Sequence, residues 1–169
     1  MAAIPTDLAE REDAFPKILR LENAGRPAKL RKIFHLVDEL SACAAPFLAC
    51  QKGCASCCHM NVTISALEAE HIQRATGRRA KQLSASKSHP SVEFQGVPCP
   101  FLDEGCCSIY EVRPFMCRKH VSFDETAYWC DPQRMHTVEM PIVKFSGPED
   151  AYFELIGPNG ITGDIRDFF

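Results

Sequence analysis

The sequence has no apolar run approaching the roughly 18 residues that a membrane-crossing helix needs, so no membrane role is expected. It also lacks a cationic surplus: 19 Lys and Arg stand against 22 Asp and Glu, a formal net charge of -3. Nothing therefore draws the chain as a whole to nucleic acid or anionic lipid. Gly157-Pro158-Asn159-Gly160 is a turn without the Lys-Ser/Thr that would make it a phosphate loop. No dinucleotide fingerprint, Ser/His/Asp arrangement or paired catalytic carboxylates are visible either. The opening MAAIPTDLAEREDAFPK sets acids and a proline where a secretion signal needs an apolar segment. The expected location is cytoplasmic.

What is present suits an ordinary folded chain. Apolar residues make up 46% and charged residues 24% of the 169 positions, near globular averages. At this length folding buries roughly two-thirds of the surface, so metal is not required to compensate for a small core. The expected organisation is a helical lead-in over 1–26, a cysteine-cluster domain over 27–131 and a C-terminal extension over 132–169 packed on that domain. The expected fold class is α+β: a small, irregular, metal-centred domain. Its N-terminal half is mainly helical, with short strands and loops around the cysteines and in the tail.

Local signals place the elements. Residues 1–26 are interrupted by Pro5 and Pro16 and followed by Pro27, which gives the lead-in loose edges. Leu30, Ile33, Phe34, Val37, Leu40, Ala44, Phe47 and Leu48 recur at helical spacing and predict one long helix over 28–49, bent at Pro46. Ser65-Ala66-Leu67-Glu68 has the capping-box pattern, and Gly77 stands where a helix ends. Residues 78–95 are polar and aperiodic, the mark of a mobile surface loop. Pro114 suits the start of a short helix carrying Phe115, Cys117 and Arg118. In the tail, 142–145 and 152–156 read as strands, followed by the 157–160 turn.

The chemistry lies in ten cysteines, nine of them from Cys50 to Cys130. In a reducing compartment such a density points to metal or redox chemistry rather than to disulfides. Ligands on a short loop converge on one ion when they are two to four residues apart, as Cys50, Cys54 and Cys57 are. Cys58 follows Cys57 directly, and neighbouring side chains point apart. The doublet therefore implies two metals, a bridging thiolate or a cluster served from two sides. The second half supplies Cys99, Cys106, Cys107, Cys117 and Cys130. Cys43, beside Ala42 and Ala44, reads as an inert helix thiol. His59 and His120 are weaker ligand candidates beside so many thiols. Arg113, Arg118 and Lys119 would offset thiolate charge, with Arg113 donating to a thiolate or to Glu111.

Cys50-x3-Cys54-x2-Cys57-Cys58, Cys99-Pro100-Phe101-Leu102, Cys107-Ser108-Ile109-Tyr110-Glu111-Val112-Arg113-Pro114 and Cys117-Arg118 together resemble the YkgJ-type cysteine-cluster family. The likeness spans about residues 47–131, and the ending Asp164–Phe169 is similar to the tail of bacterial members. It implies a zinc- or iron-chelating domain with eight ligands: Cys50, Cys54, Cys57, Cys58, Cys99, Cys107, Cys117 and Cys130. Cys43 and Cys106 are then extras. These eight are expected to converge within a region about 10 Å across.

The expected function is non-catalytic binding of zinc or iron, in sensing or as an accessory module, with a metal ion and a protein partner. The alternative is an iron–sulfur protein with redox or modifying activity, since flagellin lysine methylases contain a similar cysteine module in much longer chains. The C-x3-C-x2-C spacing of radical S-adenosylmethionine enzymes also occurs here. Ser56 replaces the aromatic usual before the third cysteine, Cys58 is surplus, and the chain is too short for their barrel. A thiol switch at Cys57–Cys58 or Cys106–Cys107 is the third reading.

Overall fold

Helix-forming stretches separated by proline and glycine dominate the chain, and the described residues form six helices and two small two-stranded sheets. The computed structural model describes residues 4–50, 52–131, 133–135, 142 and 144–169. Helix α1 (Thr6–Leu21) runs through Pro16 without a break. Helix α2 (Arg26–Ala44) takes Pro27 into its first turn, where the missing N–H costs nothing. It stops before Pro46, and a 3₁₀ turn over Ala45–Phe47 replaces the bent continuation expected to residue 49. The proline lacks the donor that would carry the α-helix onward.

Helix α3 (Ala66–Thr76) has the expected cap at each end. Ser65 and Glu68 close a capping box, and Gly77 ends the helix at φ 74°. That conformation favours glycine. Helix α4 (Phe115–Lys119) follows Pro114, which stands at its N-cap.

The strand expected over 152–156 is instead the last half of helix α5 (Ser146–Ile156). Ala151 and Tyr152 recur four residues later as Leu155 and Ile156, a helical stripe that packs inward. Phe153, off that stripe, is 55% exposed. Pro148 in the first turn presets the helical φ. The other tail strand, 142–145, includes Val143, which lies outside the described residues; Ile142 forms a single bridge with Ser122.

Strand β1 (Thr63–Ser65) pairs antiparallel with β4 (Thr162–Asp164), and β2 (Leu102–Asp103) pairs with β3 (Cys106–Cys107). Helix α6 (Ile165–Phe168) follows β4 directly.

Two apolar clusters form the core among the described residues. The first joins α1, α2 and α5 around Leu30, Ile33, Val37, Leu40 and Tyr152. There α5 meets α1 backbone to backbone: a Cβ on Gly147 would lie 2.0 Å from the Glu12 carbonyl oxygen, so only glycine fits. The second joins Val62, Ile64, Ile72, Phe101, Ile109, Ile165 and Phe168, with Cys99, Cys107 and Cys117 against it. The 78–95 segment has no helix or strand but is fastened along its length. Lys81 N–H donates to the Phe168 carbonyl at 2.7 Å, Lys87 N–H to that of Thr162 at 2.9 Å, and His89 Nε2 meets Asp167 at 2.8 Å. Among the described residues no helix is long and apolar enough to cross a membrane.

Glu68 joins the two clusters. Its fully buried carboxylate accepts from Phe115 N–H at 2.8 Å, Ser65 N–H at 2.8 Å and the Tyr152 hydroxyl at 2.5 Å. Burial raises its pKa, while donation from Tyr152, Ser65 and Phe115 opposes that rise. Glu68→Ala would leave two buried N–H groups and a phenol without their acceptor. It is expected to cost about 3 kcal/mol or more, and Tyr152→Phe about 1 kcal/mol. Urea denaturation measures both, and equal small losses would contradict the bridging role of the carboxylate.

Candidate metal centre

Each cysteine is delivered by a short, locally determined piece of backbone. Ala49 N–H donates to the Ser122 carbonyl at 3.0 Å, and Ser122 N–H returns to Cys50 Sγ at 3.4 Å. Gly53, at φ 97°, lets the chain reverse between Cys50 and Cys54. A 3₁₀ turn over Ser56–His59 presents Cys57 and Cys58. Cys99 N–H donates to the Cys58 carbonyl at 2.7 Å, which brings the second cysteine segment against the first.

The β2–β3 hairpin then turns at Glu104 (φ 46°) and Gly105 (φ 75°). Positive φ at both positions is what a two-residue type I′ turn requires. Successive strand residues point to opposite faces. Cys107 consequently faces inward and Cys106 is exposed. Helix α4 carries Cys117, and a 3₁₀ turn over Ala127–Cys130 carries Cys130, which is 4% exposed.

Cys50, Cys54, Cys57, Cys58, Cys99, Cys107 and Cys117 line one cavity of about 600 Å³. Cys130 is not part of that wall, but its thiol lies near enough to the Cys50 thiol for each to shift the other's ionisation. Cys43 packs against the first apolar cluster and Cys106 faces outward, so neither joins the others. His120 lines the cavity; burial and then the Lys119 charge lower its pKa and keep its ring neutral. His59 does not line the cavity.

Neighbouring thiols perturb one another's ionisation: Cys130 and Cys50 form one such pair, and Cys58 interacts with both Cys107 and Cys57. Burial raises the pKa of Cys50, Cys99 and Cys117, and of Cys130 to about 11. Cys58 accepts from Cys107, which favours its thiolate. Donation to Cys57, burial and the charges of Cys57 and Cys99 outweigh this and push it up to about 12. Cys107 is raised by its bond to Cys58 and then by burial.

An all-sulfur donor set of this kind fits zinc or iron. Among the described residues no three His, Cys, Asp or Glu side chains stand ready-made around a single ion position. Seven thiols line the cavity without three of them converging on one point.

The arginines act differently from expectation. Arg113 stacks on the Tyr110 ring, 4.0 Å from its centroid, and donates to the Tyr110 carbonyl at 2.8 Å and to Asp38 at 3.3 Å. Glu111 pairs with Lys52 at 2.7 Å instead. Arg113 favours the Cys107 thiolate through its charge rather than by a bond to sulfur.

Arg166 was not legible as a site residue. It donates to the carbonyls of Val97 at 2.6 Å, Met60 at 3.2 Å and Cys58 at 3.4 Å, and its charge favours the Cys99 thiolate. The one signal for it was its place between Asp164 and Asp167, which form a second capping box. Asp38, on α2, is the other missed residue. It accepts from Arg113 and from buried Arg118, which also donates to the carbonyls of Arg113 and Glu111.

Residues 49–133 match the family model CxxCxxCC, described as "Putative zinc- or iron-chelating domain". No curated protein and no solved structure matches the chain.

The geometry predicts a graded thiol reactivity in folded, metal-free protein. Exposed Cys106 should alkylate first at neutral pH, and the cavity-lining Cys117, whose pKa burial raises well above the ordinary thiol value, far more slowly. Iodoacetamide labelling followed by peptide mass spectrometry checks the order, and Cys106→Ser should remove the fast phase. Cys117 labelling as quickly as Cys106 would contradict the cavity.

Proposed function

This chain belongs to the CxxCxxCC zinc- or iron-chelating family, and we propose that Cys50, Cys54, Cys57, Cys58, Cys99, Cys107, Cys117 and Cys130 are its metal ligands. Their thiolates hold zinc or iron without catalysing a reaction, in a reducing cytoplasmic compartment. The observation that carries this reading is the sorting of the ten cysteines. Seven line one cavity and an eighth, Cys130, interacts electrostatically with Cys50 and Cys54 among them, while Cys43 and Cys106 stand apart.

Thiolates bind the metal, so the protons on these thiols leave as it binds. Their charge is then offset by Arg113 and Arg166, whose fields already favour the thiolates of Cys107 and Cys99. Zinc bound here would act as a closed, redox-inert structural or exchangeable ion. A protein partner would use the chain for metal delivery or sensing. The iron–sulfur alternative uses the same sulfur donors. The cavity of about 600 Å³ has room for a cluster.

Elemental analysis of anaerobically purified protein decides between the two. Colourless protein with stoichiometric zinc supports the first, and brown protein with iron and labile sulfide supports the second. Protein that binds neither metal refutes chelation. Cys117→Ser should reduce the metal content, whereas Cys43→Ser and Cys106→Ser should leave it unchanged.

Removing the metal should also loosen the chain unevenly. A structural zinc ion contributes on the order of 10 kcal/mol in small sites, but α2 is held independently by the first apolar cluster. Hydrogen exchange with and without a strong chelator should therefore show protection lost across 50–130 and largely kept across 28–44. Equal protection in both states would mean that the cysteines do not organise the fold.

A further inference from the structure

We propose that the groove at the end of α3 docks an acidic segment of a protein partner, with Arg79 and Lys81 as its carboxylate-binding side chains. The chelation reading leaves the chemistry of the partner open. This assignment supplies it and stands on residues outside the metal centre.

Charge is distributed unevenly along the chain. Residues 71–92 hold Arg74, Arg78, Arg79, Lys81 and Lys87 and no Asp or Glu, in a protein whose formal net charge is -3. An open groove of about 940 Å³ lies in this segment. Arg74, Arg79 and Lys81 line it with Gln73 and Gln82, and no acid does. Arg74 is paired with Glu70 at 2.8 Å, and Lys87 with Asp167 at 3.1 Å. Arg79 and Lys81 are exposed and have no carboxylate partner among the described residues. Cations beyond a helix end commonly serve to offset its dipole. That end carries roughly half a negative charge, which Arg74 and Arg78 already outweigh.

The groove is built on fixed backbone. Ala80 N–H donates to Gln73 Oε1 at 2.8 Å, and Lys81 N–H to the Phe168 carbonyl at 2.7 Å. Arg78 donates to the Pro100 carbonyl at 2.7 Å and lies over the Phe101 ring, 4.9 Å from its centroid. Little backbone ordering is therefore left for the moment of binding. Pro100 follows Cys99, so the groove and the metal cavity share one piece of backbone.

Carboxylates fit this groove better than nucleic acid does. No aromatic side chain lines it to stack a base. A duplex is held by many phosphate contacts, whereas two unpaired cations suit a short acidic stretch. The Arg79 guanidinium can take a carboxylate on two N–H groups, and the Gln82 amide can donate beside it.

The test measures fluorescence anisotropy of a labelled polyglutamate peptide titrated with the protein as purified. The peptide should bind at low salt and be released as salt rises. Reversing both cations, Arg79→Glu with Lys81→Glu, should weaken binding about tenfold or more. Lys17→Glu with Lys144→Glu makes the same change in net charge at two other exposed positions and should weaken it far less. Both double variants should keep the thermal unfolding midpoint of the parent; if the reversal does not, Arg79→Gln with Lys81→Gln replaces it, with the same loss expected in smaller measure. No binding at low salt, or equal weakening by the two double variants, would overturn the assignment. So would an oligonucleotide of matched charge that binds the groove more tightly than the peptide. None of these outcomes bears on chelation, which the metal content decides.

Discussion

A carboxylate shut away from water sits where α3, α4 and α5 meet, and the geometry of the metal centre depends on it. Glu68 closes the cap of α3, accepts the first free N–H of α4 and receives the Tyr152 hydroxyl from α5. Helix α4 has only five residues, far too few to persist alone in water. Its N-terminus is therefore set by this acceptor and by the stacking of Phe115 on Tyr152, with ring centroids 4.4 Å apart. Arg118, 3% exposed, holds the other end by donating to Asp38 of α2 while lying over the Phe34 ring. Cys117 lies between these two buried polar anchors. Removing either partner of such an anchor leaves a costly orphan in the core, so the position of this thiol is tied to the stability of the whole chain.

Much of the fold was legible because its signals are local. The Ser65–Glu68 box and Gly77 delimit α3 to the residue, and the apolar spacing from Leu30 to Leu40 identifies α2. The error at 152–156 arose because a short apolar run reads equally as a buried strand or as one face of a helix. The partner that decides between them, α1, lies at the other end of the chain. Pro16 misled in the opposite direction: one lost hydrogen bond did not outweigh the packing of the α1 face on α5.

At the site, the distinction between Cys107 and Cys106 is a strand-parity effect that a Cys-Cys doublet alone does not reveal. Spacing marked Cys50, Cys54 and Cys57, and isolation in the long helix marked Cys43; the full set of eight followed only from the family resemblance. The polar framework was not legible. Arg166 reaches the Cys58 carbonyl across 108 positions, and Asp38 meets Arg118 across 80. A lone arginine between two aspartates carries no local mark of such contacts. Arg113 was expected to touch a thiolate or Glu111, but it bonds to carbonyl and carboxylate oxygens, as Arg118 and Arg166 also do. These arginines fix the backbone that aims the thiols, and their charge acts over a longer range.

The Arg166 clasp also bears on how the chain is made. It grips the carbonyl of Cys58 within the cysteine doublet, yet it follows that residue by 108 positions. At ordinary synthesis rates of about 5–20 residues per second, roughly 5–22 s separate the two. Through that interval the first thiols have been synthesised without the contact that orients Cys58. The centre is therefore assembled late, after its earliest parts have waited, and those thiols need a reducing environment to arrive unoxidised. A contact this distant in sequence turns the order of translation into a requirement on the redox state of the nascent chain.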